Sequence, residues 1–311
     1  MQEHLWRSLM FVPAHNERLM ESASSRCNAD VLLLDIEDSV QPKSNKQVAR
    51  NNIIRYVNEG RFNGKILYPR INDRESGELL QDVYQLTIDG IAGFMYPKAT
   101  KAEDIYFIGK LLETIEYEKG FPIGTFKLIP LIETTGAVLN IQEICKACTR
   151  VVAVAFGCED FVTDLQGKHD LEGVSILSAR TLIAMGARSC GVYPIDTVHI
   201  KVHDLEDLEK NLILSRKLGF EGMLVLNPKE LPLVHKYFSP TQEEVEWAKE
   251  MVRLSDEAVK EGKAKIVKRC PFTIQLTYDV KNYTQNVKVK VDEGSRIVGF
   301  SAVTDKKELY S

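Results

Sequence analysis

Short apolar runs rich in branched residues recur along the chain. Each is followed by a stretch in which apolar residues return every three or four positions. The runs are "SLMFVP" from Ser8, "VLLLD" from Val31, "ILYPRI" from Ile66 and "IAGFMYP" from Ile91. Four more follow: "KLIPLIE" from Lys127, "VVAVAFG" from Val151, "SCGVYPI" from Ser189 and "GMLVLNP" from Gly222. They are almost continuously hydrophobic, the pattern of parallel strands covered on both faces. One intervening stretch, "DLEDLEKNLILSRKLGF", carries its own punctuation. Asp204 caps its start, Leu205, Leu208 and Leu212 share one face, and Gly219 ends it.

Eight strands alternating with helices over roughly 250 residues predict an α/β fold of the (β/α)8 TIM-barrel type. A doubly wound open sheet is the alternative, but no Gly-x-Gly-x-x-Gly follows the first strand to support a dinucleotide fold. Beyond about Val267 the texture changes. "FTIQLTYDVKNYTQNVKVKVDEGSRIVGFSAV" alternates polar and apolar residues and predicts a small C-terminal antiparallel β appendage with one wet face, "DEGS" forming a turn. "TQEEVEWAKEMVRLSDEAVKEGK" reads as a helix joining the two parts, with Trp247 packed inward. The expected division is a catalytic barrel over 1–255, then the end of the linker helix and the β-rich appendage over 256–311.

Composition narrows the partners. The 311 residues are 44% hydrophobic and 27% charged, with a net charge of −4, which gives no electrostatic footprint for nucleic acid. The apolar runs are too short to span a bilayer, and "MQEHLWRSLMFVP" lacks the regions of a signal peptide, so no membrane partner is expected. Six scattered cysteines form no disulfide framework and suit a reducing cytoplasm. Cys145 and Cys148 stand in a helical pattern with no second pair to complete a zinc site. His199 and His203 have helical spacing but lack the glutamate of a zinc protease motif.

In a barrel of this type, the C-terminal strand ends carry the chemistry. Here they supply Pro13, Asp35, Glu37, Asp38, Arg70, Lys98, Glu133, Glu159, Asp160, Asp196 and Asn227. Acidic groups at that density repel one another, and a divalent cation resolves the repulsion, with an arginine placed for an anionic substrate.

The same residues carry a resemblance. "RSLMFVP", "LLLDIEDSV", "PRIN", "MYPKATKAEDI", "LIPLIETTGAV", "AFGCEDF" and "GFEGMLVLNPKEL" occur in the order found in the citrate lyase β-subunit family. That family includes malyl-CoA and citramalyl-CoA lyases and is related to the HpcH/HpaI aldolases; the resemblance runs from about Arg7 to Val252. It implies a TIM barrel, Mg2+, and cleavage or formation of a carbon–carbon bond beside a carboxylate. Residue by residue, it implies Glu133 and Asp160 as metal ligands and Arg70 as the partner of a 2-oxo acid carboxylate. Glu37 and Asp38 would hold metal-bound waters, and backbone amides around Thr135, Gly136 and Ala137 would receive the substrate carboxylate. It also implies a homo-oligomer, a trimer or hexamer.

The chain departs from the family pattern in three places. The C-terminal "DGKxxD"-like segment of the CoA-dependent members is absent, "NP" at Asn227 and Pro228 replaces the common "HP", and Ala14 replaces a glycine. The expected activity is a Mg2+-dependent carbon–carbon lyase acting on a short hydroxy acid or its acyl-CoA thioester. A CoA-independent aldolase or acyl-transfer relative in a biosynthetic pathway, and a non-catalytic barrel subunit that binds metal and ligand, are the alternatives.

Overall fold

The computed structural model describes residues 5–170, 173–269, 272–277, 288–293, 298–303 and 308–310. They fall into two compact units, Trp6–Phe238 and the pair of segments Met1–Leu5 and Ser239–Ser311. The division places the helix after residue 241 with the tail.

The first unit alternates strand and helix. It runs β1 (Ser8–Pro13), α1 (Glu17–Arg26), β2 (Val31–Asp35), α2 (Asn45–Asn58), β3 (Ile66–Leu67) and α3 (Leu79–Leu86). It continues with β4 (Gly93–Tyr96), α4 (Ala102–Lys119), β5 (Lys127–Ile132), α5 (Thr135–Leu139) and α6 (Ile141–Lys146). Then come β6 (Ala153–Phe156), α7 (Cys158–Asp164), α8 (Val174–Ser189), β7 (Tyr193–Asp196), α9 (Leu205–Leu218), β8 (Gly222–Val225) and α10 (Leu231–Phe238). The eight strands are ordered β3-β2-β1-β8-β7-β6-β5-β4. The two ends of that order meet at Arg70, whose backbone bridges Asp35 on one side and Met95 on the other, both in parallel register. Met95 N–H donates to the Pro69 carbonyl at 2.9 Å and Ile71 N–H to the Met95 carbonyl at 3.1 Å. The sheet is thus closed into the expected (β/α)8 barrel.

Strand period decides what faces where. Leu9, Val31, Leu33, Met95, Ile129, Leu131, Ala153, Ala155 and Leu224 form a buried cluster inside the barrel. Their alternates, among them Leu32, Leu34, Leu128, Ile132 and Val154, pack in the larger cluster that includes the helix residues. Side chains two apart on a strand share a face. Carried upward, the inner parity reaches Phe11, Asp35, Arg70, Glu133 and Gly157. The site is the top layer of the barrel interior.

Several expected elements differ in detail. The run from Ile66 yields a strand of only two residues, although the Tyr68 and Arg70 N–H groups still donate to the Leu32 and Leu34 carbonyls of β2. The run from Ser189 starts late: Ser189 ends α8, Gly191 turns with φ 69°, and β7 begins at Tyr193. α9 is capped as expected, Asp204 accepting from the Asp207 N–H at 3.0 Å and Gly219 adopting φ 90°. Leu208 and Leu212 are fully buried, but Leu205, in the first turn, is exposed. α6 stops at Lys146, so Cys145 is buried on the helix while Cys148 lies beyond it.

The second unit contains α11 (Gln242–Lys260), whose Thr241 accepts from the Glu244 N–H in a reciprocal capping box. Trp247 is 46% exposed rather than packed inward. β9 (Ala264–Arg269), β10 (Phe272–Leu276), β11 (Lys288–Glu293), β12 (Val298–Val303) and β13 (Glu308–Tyr310) follow. They pair in chain order as one antiparallel sheet. Asp292 and Glu293, expected in a turn, end β11, and the remainder of "DEGS" lies outside the described residues. Among the described residues no helix is long and apolar enough to cross a membrane.

Candidate active site at the barrel mouth

A cavity of about 370 Å³ opens at the C-terminal strand ends. Asp35, Asp38, Arg70, Glu133, Glu159 and Asp160 line it together with apolar walls from Phe11, Leu131, Phe156, Val198, Leu224 and Leu226. The three residues on which the expected metal chemistry depends, Glu133, Asp160 and Arg70, therefore share one cavity despite their distance in sequence.

Arg70 is the most constrained group. Its Nε and Nη2 donate to the two Asp35 carboxylate oxygens, each at 2.7 Å. Its Nη1 lies 3.2 Å from Glu37 Oε2 and 3.5 Å from Asp38 Oδ2. The guanidinium carbon stands 4.7 Å above the centre of the Phe11 ring, a cation–π contact. One forked edge of Arg70 is thus spent on Asp35. The Nη1–Nη2 edge is what remains for a ligand. Burial alone would push the Asp35 carboxyl up, but the adjoining Arg70 charge outweighs it and holds Asp35 below the usual carboxylate range.

Glu37 sits just behind the cavity wall, 4% exposed. Its Oε1 pairs with Lys98 Nζ at 2.9 Å, and the Lys46 ammonium holds its carbonyl at 2.7 Å. Burial raises the Glu37 carboxyl to about 7, against the opposing pull of Arg70. Lys98 is partly buried, which lowers its pKa, yet its bond to Glu37 and the neighbouring Asp38 and Asp73 raise it overall. It is a held cation, not the depressed amine that Schiff-base chemistry requires.

Glu133 follows β5 and is 4% exposed. Its Oε2 accepts from the Lys98 backbone N–H at 2.8 Å. Burial drives its carboxyl up to about 8; Lys98 and Arg70 oppose this, and the charges of Glu37 and Asp160 reinforce it. Asp160 is exposed in the first turn of α7, three residues past Gly157. A carboxylate held at so high a pKa signals a position meant to be neutralised by a proton or a cation. Among the described residues no three His, Cys, Asp or Glu side chains form a metal-binding group by themselves. Two protein carboxylates would leave the other positions of a hard cation to water and substrate.

The amides expected to receive a carboxylate are largely committed. Thr135 N–H and Oγ1 both donate to Asp164 Oδ2 at 2.7 Å, and Ala137 N–H donates to the Thr134 hydroxyl oxygen at 3.1 Å. Thr135, Gly136 and Ala137 do not line the cavity. The Thr134 hydroxyl and Asp164 of α7 thus cap α5 internally. Asp196, another strand-end acid, is fully buried and paired with both Nε and Nη2 of Arg180, a structural role. His199 is buried with Nε2 3.1 Å from the Asp204 carbonyl.

Comparison with known proteins identifies the family of the chain. Residues 7–228 match the family described as HpcH/HpaI aldolase/citrate lyase, and residues 236–311 match a family described as RRXRR protein. The citrate lyase subunit beta of Leuconostoc mesenteroides subsp. cremoris is 30% identical over 260 residues, covering 84% of this chain and 85% of its own. The human mitochondrial citramalyl-CoA lyase is 28% identical over 268 residues, covering 83% and 78%. Among solved structures, the protein CitE of Mycobacterium tuberculosis in complex with magnesium, acetoacetate and coenzyme A is 25% identical. It superposes with a TM-score of 0.62 over 84% of this chain and 90% of that one. The chain belongs to the HpcH/HpaI aldolase/citrate lyase family. It is a carbon–carbon lyase of that family.

Proposed function

We propose that the chain is a Mg2+-dependent lyase that cleaves a short hydroxy acid, or its acyl-CoA thioester, to give a 2-oxo acid, or runs the reverse condensation. The single observation that carries this reading is the meeting of Glu133, Asp160 and Arg70 in one cavity. Solved relatives in complex with magnesium and pyruvate, or with magnesium, acetoacetate and coenzyme A, support it. Magnesium, when bound, supplies Lewis-acid polarisation of the keto oxygen and stabilises the charge of the cleaved fragment.

The remaining work falls to this chain's own residues. Glu133 and Asp160 are the oxygen donors that fit a hard cation. Arg70, fixed in plane by Asp35, offers the substrate carboxylate its Nη2 and, shared with Glu37 and Asp38, its Nη1. Asp38, at the rim, would be the acid left to hold a metal-bound water, since both Glu37 oxygens are engaged by Lys98 and Arg70. Phe11, Leu131, Phe156 and Leu224 supply apolar walls, which exclude bulk water and strengthen every charge interaction within. A cytoplasmic setting and a trimeric or hexameric assembly complete the proposal, the latter checked by light scattering.

The test is calorimetric. Mg2+ should bind the wild type and fail to bind Glu133→Gln and Asp160→Asn, and lyase activity should vanish in EDTA. Unchanged Mg2+ binding in both variants would overturn the reading. Titration of pyruvate, glyoxylate and oxaloacetate with and without acetyl-CoA decides the thioester. Enhancement by acetyl-CoA supports it, and oxo-acid binding alone supports the CoA-independent aldolase.

A further inference from the structure

Lys98 stands out from the rest of the mouth. Lys98 and Gln166 are the non-glycine residues that adopt a positive φ among the described residues, and Lys98 sits at 53° two residues past the end of β4. That conformation is unfavourable for a residue with a Cβ and persists only where surrounding contacts impose it.

Here the contacts run to two carboxylates at once. The Lys98 amide donates to Glu133 Oε2 at 2.8 Å, while its ammonium lies 2.9 Å from Glu37 Oε1. Asp73 Oδ2 at 3.4 Å and Asp38 Oδ1 at 3.9 Å complete the ammonium's surroundings. Glu37 is divided between two cations, one oxygen to Lys98 and the other, Oε2, 3.2 Å from Arg70 Nη1. The Lys98 side chain is 43% exposed, and ion pairs at such positions contribute little to stability. Stability alone does not account for a strained lysine here.

We propose that Lys98 is a positioning residue: its left-handed backbone aims an amide at Glu133 while its ammonium takes one oxygen of Glu37, so that Arg70 Nη1 is only shared with Glu37 and stays available to the substrate carboxylate. Without the ammonium, Glu37 and Asp38 would draw on Arg70 alone and compete with the substrate for Nη1. The inference rests on the proposed roles of Glu133 and Arg70.

The experiment separates backbone from side chain. Lys98→Gly keeps the conformation and the amide but loses the charge. Lys98→Val resists positive φ and loses both, and Lys98→Arg returns a cation. Mg2+ alone and then oxalate, a planar mimic of a 2-oxo acid enolate, are titrated by calorimetry. Lys98→Gly should bind Mg2+ within about threefold of wild type but oxalate about tenfold more weakly, in the range typical of lost supporting contacts. Lys98→Val should lose about tenfold or more for Mg2+ as well, and Lys98→Arg should restore most of the oxalate affinity. Wild-type oxalate binding by Lys98→Gly overturns the proposal, and that arm decides alone if Lys98→Val does not fold. A parallel Glu133→Gln titration separates the layers: if it abolishes Mg2+ binding while the Lys98 variants behave as wild type, only the Lys98 role fails. If Glu133→Gln binds Mg2+ normally, the underlying reading fails.

Discussion

The side chain of Glu133 lies against the α-carbon of Gly157. A Cβ at Gly157 would stand 2.6 Å from Glu133 Cγ and 2.9 Å from its Oε1, closer than non-bonded atoms approach. Gly157 has φ −102°, which any residue adopts, so its missing side chain serves space and not backbone freedom. Gly157→Ala should therefore fold normally and displace Glu133. Its Mg2+ affinity, measured by calorimetry, should fall about 10- to 100-fold with little change in Tm.

Metal binding should also depend on pH. Glu133 must ionise to hold a cation, and burial raises it from an ordinary 4.5 to about 8. Apparent Mg2+ affinity should climb as pH rises from 6 toward about 8 and then level off, with about one proton released per ion at the lower end. The metal-free protein should show the opposite trend in stability. Between the ordinary and the raised value the native state holds a proton that the unfolded chain has lost, so native stability falls as pH rises through that window. Urea titrations at several pH values, with and without Mg2+, check both.

Arg70→Lys should be far from conservative. A single ammonium cannot span both Asp35 oxygens and face the cavity as well, since the guanidinium does so through separate edges. Oxalate affinity in saturating Mg2+ should drop about tenfold or more, while Mg2+ binding itself changes little.

A control lies on the outer side of the barrel. Glu116 is fully buried, accepts from the Gly124 and Phe126 amides, and is gripped by both Nη atoms of Arg150 at 2.6 Å. Arg150→Met strands that carboxylate and should cost about 3–5 kcal/mol in urea unfolding, and adding Glu116→Gln should recover part of it. Mg2+ affinity of the folded variant should be unchanged.

The barrel was legible because its strands are buried on both faces, which leaves an almost unbroken apolar signature at β1, β2 and β5. The convergence of Glu133 and Asp160 was legible for a related reason: all eight strands run one way, so their ends gather. What stayed hidden was partner choice. Asp35 and Glu37 look equivalent in "LLLDIEDSV", yet Asp35 takes the fork of Arg70 while Glu37 takes Lys98. Strand parity carried part of that answer, since Val31, Leu33 and Asp35 share a face directly beside Arg70. The commitment of the Thr135 amide to Asp164 had no such local sign. It depends on the approach of α7 to α5, a tertiary event.

The ring of strands is knitted shut by the peptide units flanking Arg70. Where that residue's α-carbon stands is consequently dictated by the architecture, whatever hangs from it. Chemistry at this rim can be rewritten without moving the backbone, provided the buried Asp35 keeps a cationic partner when Arg70 is changed, which makes the seam a natural place to retune ligand preference in coupled pairs.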